Sequence, residues 1–407
     1  MNRMSVAVAA ACVAGAIASA GAVHAEDVIT LGAAVSITGK YSTNGMNTKD
    51  GYDLAVQKIN DNGGVTVGDK TYRLEIKYYD DESTPARGAE LAERLIQQDG
   101  IKFVLGPYSS GLTKAIAPVT EKYQVPMVEA NGAARELFTK GYRYIFAVLS
   151  TSDQYLTSAI ELAAEKAGDL GKQPNEIKVA MAFENDPFSQ DVRAGVMDDV
   201  KEHGMQIVID DELPKELNDM AATLTKVKAL KPDILVVSGH SKGAATAVRQ
   251  IGEMRVDVPI VAMTHCDSAQ VAEKFGAAAE YTLCAQQWDA TLTYSDDLFG
   301  SAADFAALFE EVYDYAPPYQ AAESAAAVMV FADAFERAGT LDVEAVRDAL
   351  AQTDMQTFFG GVKFDEDGRN VAKPMVLTQV LDGKYVVVAP TKWAAEQPVI
   401  PRPAASN

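Results

Sequence analysis

The sequence predicts an α/β protein built as two Rossmann-like, doubly wound lobes. Three observations carry that expectation. Apolar strand-type runs alternate with helix-type runs through two successive series, the pattern of parallel sheets wrapped by helices. The roughly 380 residues that follow a predicted leader exceed what one hydrophobic core ordinarily serves. The chain then ends in short strand-type runs joined by tight turns, unlike either series.

The leader is residues 1–25. Arg3 supplies a positive start, and Met4 to Ala22 is almost all Ala, Val, Gly, Ile and Ser. Val23-His24-Ala25 then places small residues at the two positions a signal peptidase reads. An uncleaved membrane anchor is the rival reading, and the weakly apolar, Ala-rich run argues against it. Cys12 has almost no n-region before it, which argues against lipidation. No later run approaches 18 apolar residues, so the mature chain is expected to be soluble, secreted and periplasmic.

In the first series Val28 to Ala34 reads as a strand, then a Gly/Ser/Thr-rich loop, then a helix from about Lys49 to Asn60 that Gly63-Gly64 ends. Tyr72 to Tyr79 alternates apolar and polar residues like a strand, and Pro85 starts a helix running to about Gln98. Phe103 to Leu105 is a short buried strand, Ser109 to Gly111 opens a helix, and Pro126 to Glu129 is again strand. The second series places strands at Ile177 to Phe183, Gln206 to Glu212, Asp233 to Ser238, Pro259 to Met263 and Tyr281 to Gln287, with a helix at Phe188 to His203. Helical patterns follow at Ala302 to Tyr315, Tyr319 to Ala338 and Val343 to Ala351. Gly361 to Phe364, Pro374 to Leu381 and Lys384 to Val388 read as antiparallel strands, with Asp382-Gly383 as a hairpin turn.

Hydrophobic residues make up 48% and charged residues 23%, a globular composition. The balance of 36 basic against 57 acidic residues, net −21, repels phosphate backbones and anionic lipid, so nucleic acid is excluded as a partner. Beyond the leader only Cys266 and Cys284 remain. They are open to two readings, a disulfide in an oxidising compartment or two buried thiols on neighbouring segments.

Over nearly all of the mature chain the order and spacing of short motifs resemble the periplasmic leucine/isoleucine/valine-binding protein family. The motifs are Gly63-Gly64-Val65, Tyr79-Asp80-Asp81, Ala92 to Ile96, Gly106-Pro107-Tyr108-Ser109-Ser110, Glu136-Leu137 with Gly141-Tyr142, and Gly360-Gly361-Val362 with Phe364-Asp365 and Asp367-Gly368. The resemblance implies a type I periplasmic binding protein: two lobes joined by a three-strand hinge, closing on a small molecule that is handed to the membrane permease of an ABC importer. It implies one lobe of residues 26–149 plus 287–357, a second of 150–286 plus 358–393, and a tail of 394–407. It also implies no enzymatic activity and no cofactor, and a monomer is expected.

In open α/β sheets the ligand sits beyond the carboxyl ends of strands, at helix N-termini. Two such ends are Tyr108-Ser109-Ser110-Gly111 and Asn131-Gly132-Ala133. Free N–H groups there favour an anion by roughly 0.3–2 kcal/mol from the helix dipole; the plainer reading is an ordinary helix cap. By resemblance the family's carboxylate-binding serine falls on Ser110. Asn131 takes the position whose carbonyl receives an amino group, and a family threonine is replaced by Ala133. Two second-lobe tyrosines fall on Phe188 and His240, and the acid that pairs with an ammonium falls on His265. Losing one partner of a buried charge pair costs roughly 3–5 kcal/mol, so these departures favour a ligand without an ammonium. Tyr108, Tyr155, Phe188 and Trp288 are candidates to wall its apolar body. Two ligand classes therefore stay open: a small carboxylate, aromatic or branched, and the family's neutral amino acid, with Asp267 or Glu184 as substitute acids.

Gly239-His240-Ser241-Lys242-Gly243 matches the nucleophile elbow of serine hydrolases between a strand and a helix. The triad order then demands a later acid and histidine, and His265 follows too closely to leave room for the intervening elements. Asp365-Glu366-Asp367-Gly368 has half the pattern of a calcium loop but lacks the later bidentate Glu, so a β-turn is expected. His240, His265 and Cys266 lack a fourth metal ligand at recognisable spacing, and no metal is expected. A ligand sensor using the same two-lobed fold is a further alternative.

Overall fold

The computed structural model describes residues 27–403; the predicted leader lies outside the described residues. The first sheet opens with β1 (Val28–Val35), followed by α1 (Ser42–Asp61). This helix starts well before the expected Lys49. Its first turns bury Asn44, Gly45, Asn47 and Thr48, which carry no apolar period to reveal them. Gly45 is needed there, because a Cβ would stand 2.0 Å from the Ser36 carbonyl oxygen. The hairpin of β2 (Val65–Val67) and β3 (Lys70–Asp80) comes next, then α2 (Pro85–Gln97), β4 (Val104–Leu105), α3 (Ser110–Tyr123), β5 (Met127–Glu129) and β6 (Ile145–Ala147). The strand order is β2-β3-β1-β4-β5-β6, parallel except for the hairpin. β6 was not expected from the sequence; three residues are too few to display a period.

The chain then passes to a second sheet. After α4 (Thr157–Glu165) come β7 (Lys178–Glu184), α5 (Pro187–Glu202), β8 (Gln206–Leu213), α6 (Ala221–Leu230), β9 (Ile234–Ser238), α7 (Ser241–Glu253) and β10 (Ile260–Thr264). Two short helices, α8 (Cys266–Ala269) and α9 (Val271–Phe275), precede β11 (Leu283–Gln286). Strands β7 and β9 are apolar without alternation because both faces are covered. Val179, Met181, Phe183, Ile234 and Val236 join one core, while Ala180, Ala182, Leu235 and Val237 join a second on the opposite face. Cys266 and Cys284 form a disulfide, with Cα atoms 5.8 Å apart, so of the two readings the thiol one is set aside.

The chain returns to the first sheet through the small hairpin β12 (Ser295–Asp296) and β13 (Gly300–Ser301), then α10 (Ala302–Tyr313), α11 (Tyr319–Ala338) and α12 (Val343–Ala351). Every residue of α11 from Tyr319 to Phe331 is buried. Its alanines let α1 approach so closely that a Cβ on Gly51 would lie 2.1 Å from the Ala321 carbonyl oxygen. Phe331 and Phe335 meet Phe103 edge-on at 6.0 and 4.7 Å, tying the helix to the first sheet.

A second hairpin, β14 (Asp354–Thr357) and β15 (Gly360–Lys363), precedes the last passage into the second sheet, where β16 (Val376–Leu381) and β17 (Lys384–Ala389) pair antiparallel. That sheet runs β17-β16-β11-β10-β9-β7-β8. The family resemblance implies that this passage falls near residue 358. Arg369 bridges Ala147 at the edge of β6, and Asn370 donates to the Val148 carbonyl at 2.7 Å, so residues up to about 370 extend the first sheet. Asp365 to Gly368 is a turn, its Asp365 Oδ1 accepting the amides of Asp367 and Arg369. The tail is pinned to the second sheet, with the Val399 amide on Gln379 Oε1 at 2.8 Å. No helix among the described residues is long and apolar enough to cross a membrane.

Candidate functional site

The carboxyl ends of the two sheets face each other across one small cavity. Tyr108, Ser109, Ser110 and Asn131 line it from the first sheet, and Tyr155, Phe188, His240 and His265 line it opposite. Helix α11 adds Tyr319, Gln320 and Glu323. The enclosed space, about 10 Å³, is of the order of one water molecule. Entry of an organic solute therefore requires the facing residues to part.

Local structure explains the first-sheet half. Ser109 caps α3, its Oγ accepting the Leu112 amide, at φ +84°, a left-handed value that a serine adopts only under tertiary constraint. Ser110 Oγ accepts the amides of Ala133 and Ala134 at 3.1 and 3.0 Å, which leaves the hydroxyl proton as its remaining donor. Ala133 and Gly132 thus lie behind Ser110 and do not line the cavity. Gly132 sits where a Cβ would come 2.4 Å from Thr113 Oγ1, and its amide bonds Glu129 Oε1 at 2.7 Å. Burial pushes the Glu129 carboxyl up to about 7 against those bonds.

Across the cavity the fully buried Tyr108 hydroxyl bridges His240 Nδ1 at 2.8 Å and His265 Nε2 at 2.9 Å. Burial, and then the neighbouring His240, holds His265 well below the ordinary imidazole range. Burial opposes ionisation of Asp186, but His240 and Ser189 outweigh it and keep that carboxyl below its usual range. Tyr155 and Phe188 meet edge-on at 4.9 Å, and Phe188 meets His265 at 5.1 Å. Further bonds cross between the halves: Ser241 Oγ to Asn44 Oδ1, the Tyr319 amide to Asp267 Oδ2, and Arg135 Nε to Asp191 Oδ1.

Trp288 is a correction. It does not reach the cavity; its Nε1 donates to the Phe358 carbonyl at 3.0 Å, and its ring stands perpendicular to Phe305 and Phe358. Its place just after β11 puts it in the apolar packing of the passage between sheets. The substitute acids move too. Glu184 lies behind Gly239, and Asp267 is occupied by the Tyr319 amide. The acid that does line the cavity is Glu323, unmarked by any motif. Burial raises its carboxyl well above the usual range, with Lys373 pulling the other way. Lys373 is itself pushed down to about 7 by burial. Ser241 Oγ pairs with Asn44 and Ser268, so its hydroxyl has no histidine partner of the kind a hydrolase triad needs.

Polar atoms without hydrogen-bond partners concentrate at this cavity: Asn131 Oδ1, His265 Nδ1, both Gln320 side-chain atoms and Glu323 Oε2. Buried orphans are rare, and a set converging on one cavity is what a polar solute would satisfy.

Comparison with known proteins agrees with this architecture. The family model described as a periplasmic binding protein matches residues 28–384. A Leu/Ile/Val-binding protein homolog 7 of Brucella suis is 23% identical over 394 residues, covering 94% of this chain and 96% of the relative. A branched-chain amino acid transporter substrate-binding protein of Streptococcus pneumoniae, solved with isoleucine, superposes with TM-score 0.77 at 24% identity, covering 89% of this chain and all of that one. A solute-binding protein of an ABC transporter from Rhodopseudomonas palustris, solved with 3,4-dihydroxybenzoic acid, gives TM-score 0.77 at 20% identity over 88% and 95% of the two chains. The span matched by the family model takes in the first sheet, the second sheet as far as β16, and every residue lining the cavity. This chain belongs to the periplasmic binding protein family and has the type I fold of its leucine/isoleucine/valine-binding members.

Proposed function

We propose that this protein is the periplasmic substrate-binding component of an ABC importer and that it captures a small organic carboxylate, aromatic or branched, between two closing lobes. The bodies that move are the two sheets with their helices, the first now taken to include residues up to about 370; the protein acts as a monomer and hands its ligand to a membrane permease. One observation carries the ligand reading. The N-terminal ends of α3, α5, α7 and α11 converge on a cavity where Ser110 keeps a hydroxyl proton to donate. Helix N-termini and hydroxyl donors in a buried site favour a carboxylate. The edge-on rings of Tyr155, Phe188 and Tyr319 suit an apolar or aromatic body. The Rhodopseudomonas relative solved with a dihydroxybenzoate lends the aromatic acid further support.

A second reading, a neutral amino acid, is favoured by Glu323, whose unpaired Oε2 faces the cavity beside Gln320 and offers an ammonium a partner. The experiment is calorimetry with the mature chain against benzoate, its hydroxylated forms, branched aliphatic acids, leucine and isoleucine. Micromolar or tighter binding of an acid with silent amino acids is expected. Tight leucine or isoleucine binding with silent acids would replace the carboxylate reading by the amino-acid one.

A further inference from the structure

Behind His240, on the second-sheet side, lie two carboxylates, Glu184 and Asp186, that do not line the ligand cavity. Parallel neighbours β7 and β9 run in register, Phe183 beside Ser238, and so deliver their carboxyl ends to one place. Glu184 ends β7, Asp186 caps α5 and His240 caps α7. One ligand-type atom from each of the three lies within 4.8 Å of the others, and all three residues are buried.

Two side-chain atoms of these residues lack hydrogen-bond partners. Asp186 Oδ1 accepts the amides of Phe188 and Ser189, but Oδ2 accepts none. His240 Nε2 points at Asp186 Oδ1 from 3.5 Å, an ion-pair distance too long for a well-formed hydrogen bond. The chain also makes room here. A Cβ on Gly239 or on Gly243 would stand 2.7 Å from Glu184 Oε1, so both glycines leave space for that carboxylate. Tyr41, from the first-sheet half, covers the group with its ring 4.6 Å from the imidazole.

We propose that Glu184, Asp186 and His240 bind a divalent transition-metal cation of the Zn²⁺ type. Two carboxylates and one imidazole are a donor set such ions accept, with a position left for water. A separation of 3.5 Å between the histidine nitrogen and a carboxylate oxygen suits two ligands on one ion, whose bonds are about 2.0–2.2 Å. Metal on Nε2 leaves the proton on Nδ1, which then donates to the Tyr108 hydroxyl 2.8 Å away; that hydroxyl in turn donates to His265 Nε2. The ion would therefore order the wall of the cavity, whichever solute the cavity takes. Tyr41 over the site means that the ion enters when the two halves part.

The test uses the untagged mature chain, stripped with EDTA, dialysed against ZnCl₂ and then against metal-free buffer. Bound zinc is counted by mass spectrometry of the elements, and affinity is read by calorimetry. About one equivalent is expected to stay with the wild type, and Zn²⁺ should raise its unfolding temperature. Glu184→Gln and Asp186→Asn should each weaken binding about a hundredfold or more and abolish the temperature shift. Asn remains a good N-cap, so the second variant keeps α5 intact, and circular dichroism checks both. His203→Ala, at the far end of α5 from Asp186, should bind as the wild type does. A wild type that retains no zinc, or variants that retain it, would overturn the proposal and leave an ordinary buried ion pair.

Discussion

Glu129 offers a direct test of how the loop behind Ser110 is held. The residue is wholly buried; its Oε1 accepts the amides of Asn131 and Gly132 at 2.6 and 2.7 Å, and its Oε2 accepts the Thr113 hydroxyl at 2.9 Å. Burial raises its carboxyl from 4.5 to about 7 despite these bonds. An acid raised in the folded state binds its proton more tightly there than in the unfolded chain. Its contribution to stability is thus complete below about 4.5, falls as the pH climbs, and levels off above about 7. Each pH unit in that interval is worth about 1.4 kcal/mol, so the loss amounts to roughly 3 kcal/mol. Glu129→Gln keeps an oxygen for the two amides and cannot ionise. Urea unfolding of both proteins near pH 4.5 and near pH 8 should show the variant gaining roughly 3 kcal/mol on the wild type across the interval. Asp81, Glu184 and Asp267 are raised by burial in the same direction, but they are present in both proteins and cancel in the difference. Parallel pH profiles for the two proteins would refute the reasoning.

Three further outcomes follow from the packing. Ser110→Ala strands the Ala133 and Ala134 amides; it should cost roughly 2 kcal/mol in urea unfolding and weaken solute binding about tenfold by calorimetry. Trp288→Phe removes the bond to the Phe358 carbonyl but nothing from the cavity, so stability should drop by about 1–2 kcal/mol while the affinity for the solute stays the same. Replacing Cys266 and Cys284 together by serine opens an 18-residue loop in the second sheet, and thermal unfolding should register a loss of roughly 3 kcal/mol.

Most of the elements were legible because each rests on local chemistry. Tyr319–Ala338 shows a helical period closed by Gly339, which adopts φ +62° as the cap. Ile234–Ser238 is an apolar run bounded by turn residues. Of the cavity residues expected from the sequence and its family resemblance, Tyr108, Ser109, Ser110, Asn131, Phe188, His240 and His265 lie on the loops and first helical turns that follow β4, β5, β7, β9 and β10, where parallel sheets expose helix N-termini, and Tyr155 lies beyond β6. Glu323 and Gln320 had no such signal. They lie in the first two turns of a long alanine-rich helix, some two hundred residues from Ser110 in sequence, and only the packing of α11 beside β5 brings them to the cavity.

The order of residues alone therefore determined the class of fold, the two series of strands and the loops at their carboxyl ends, because periodicity, caps and turns act over a few neighbours. Tertiary structure alone decided which loops meet. It turned Trp288 away into the packing between the sheets, set the Tyr108 hydroxyl between two imidazoles, and gathered Glu184, Asp186 and His240 into one buried group. Those meetings depend on how two sheets and α11 pack across large separations in the chain, and no local pattern carries that information.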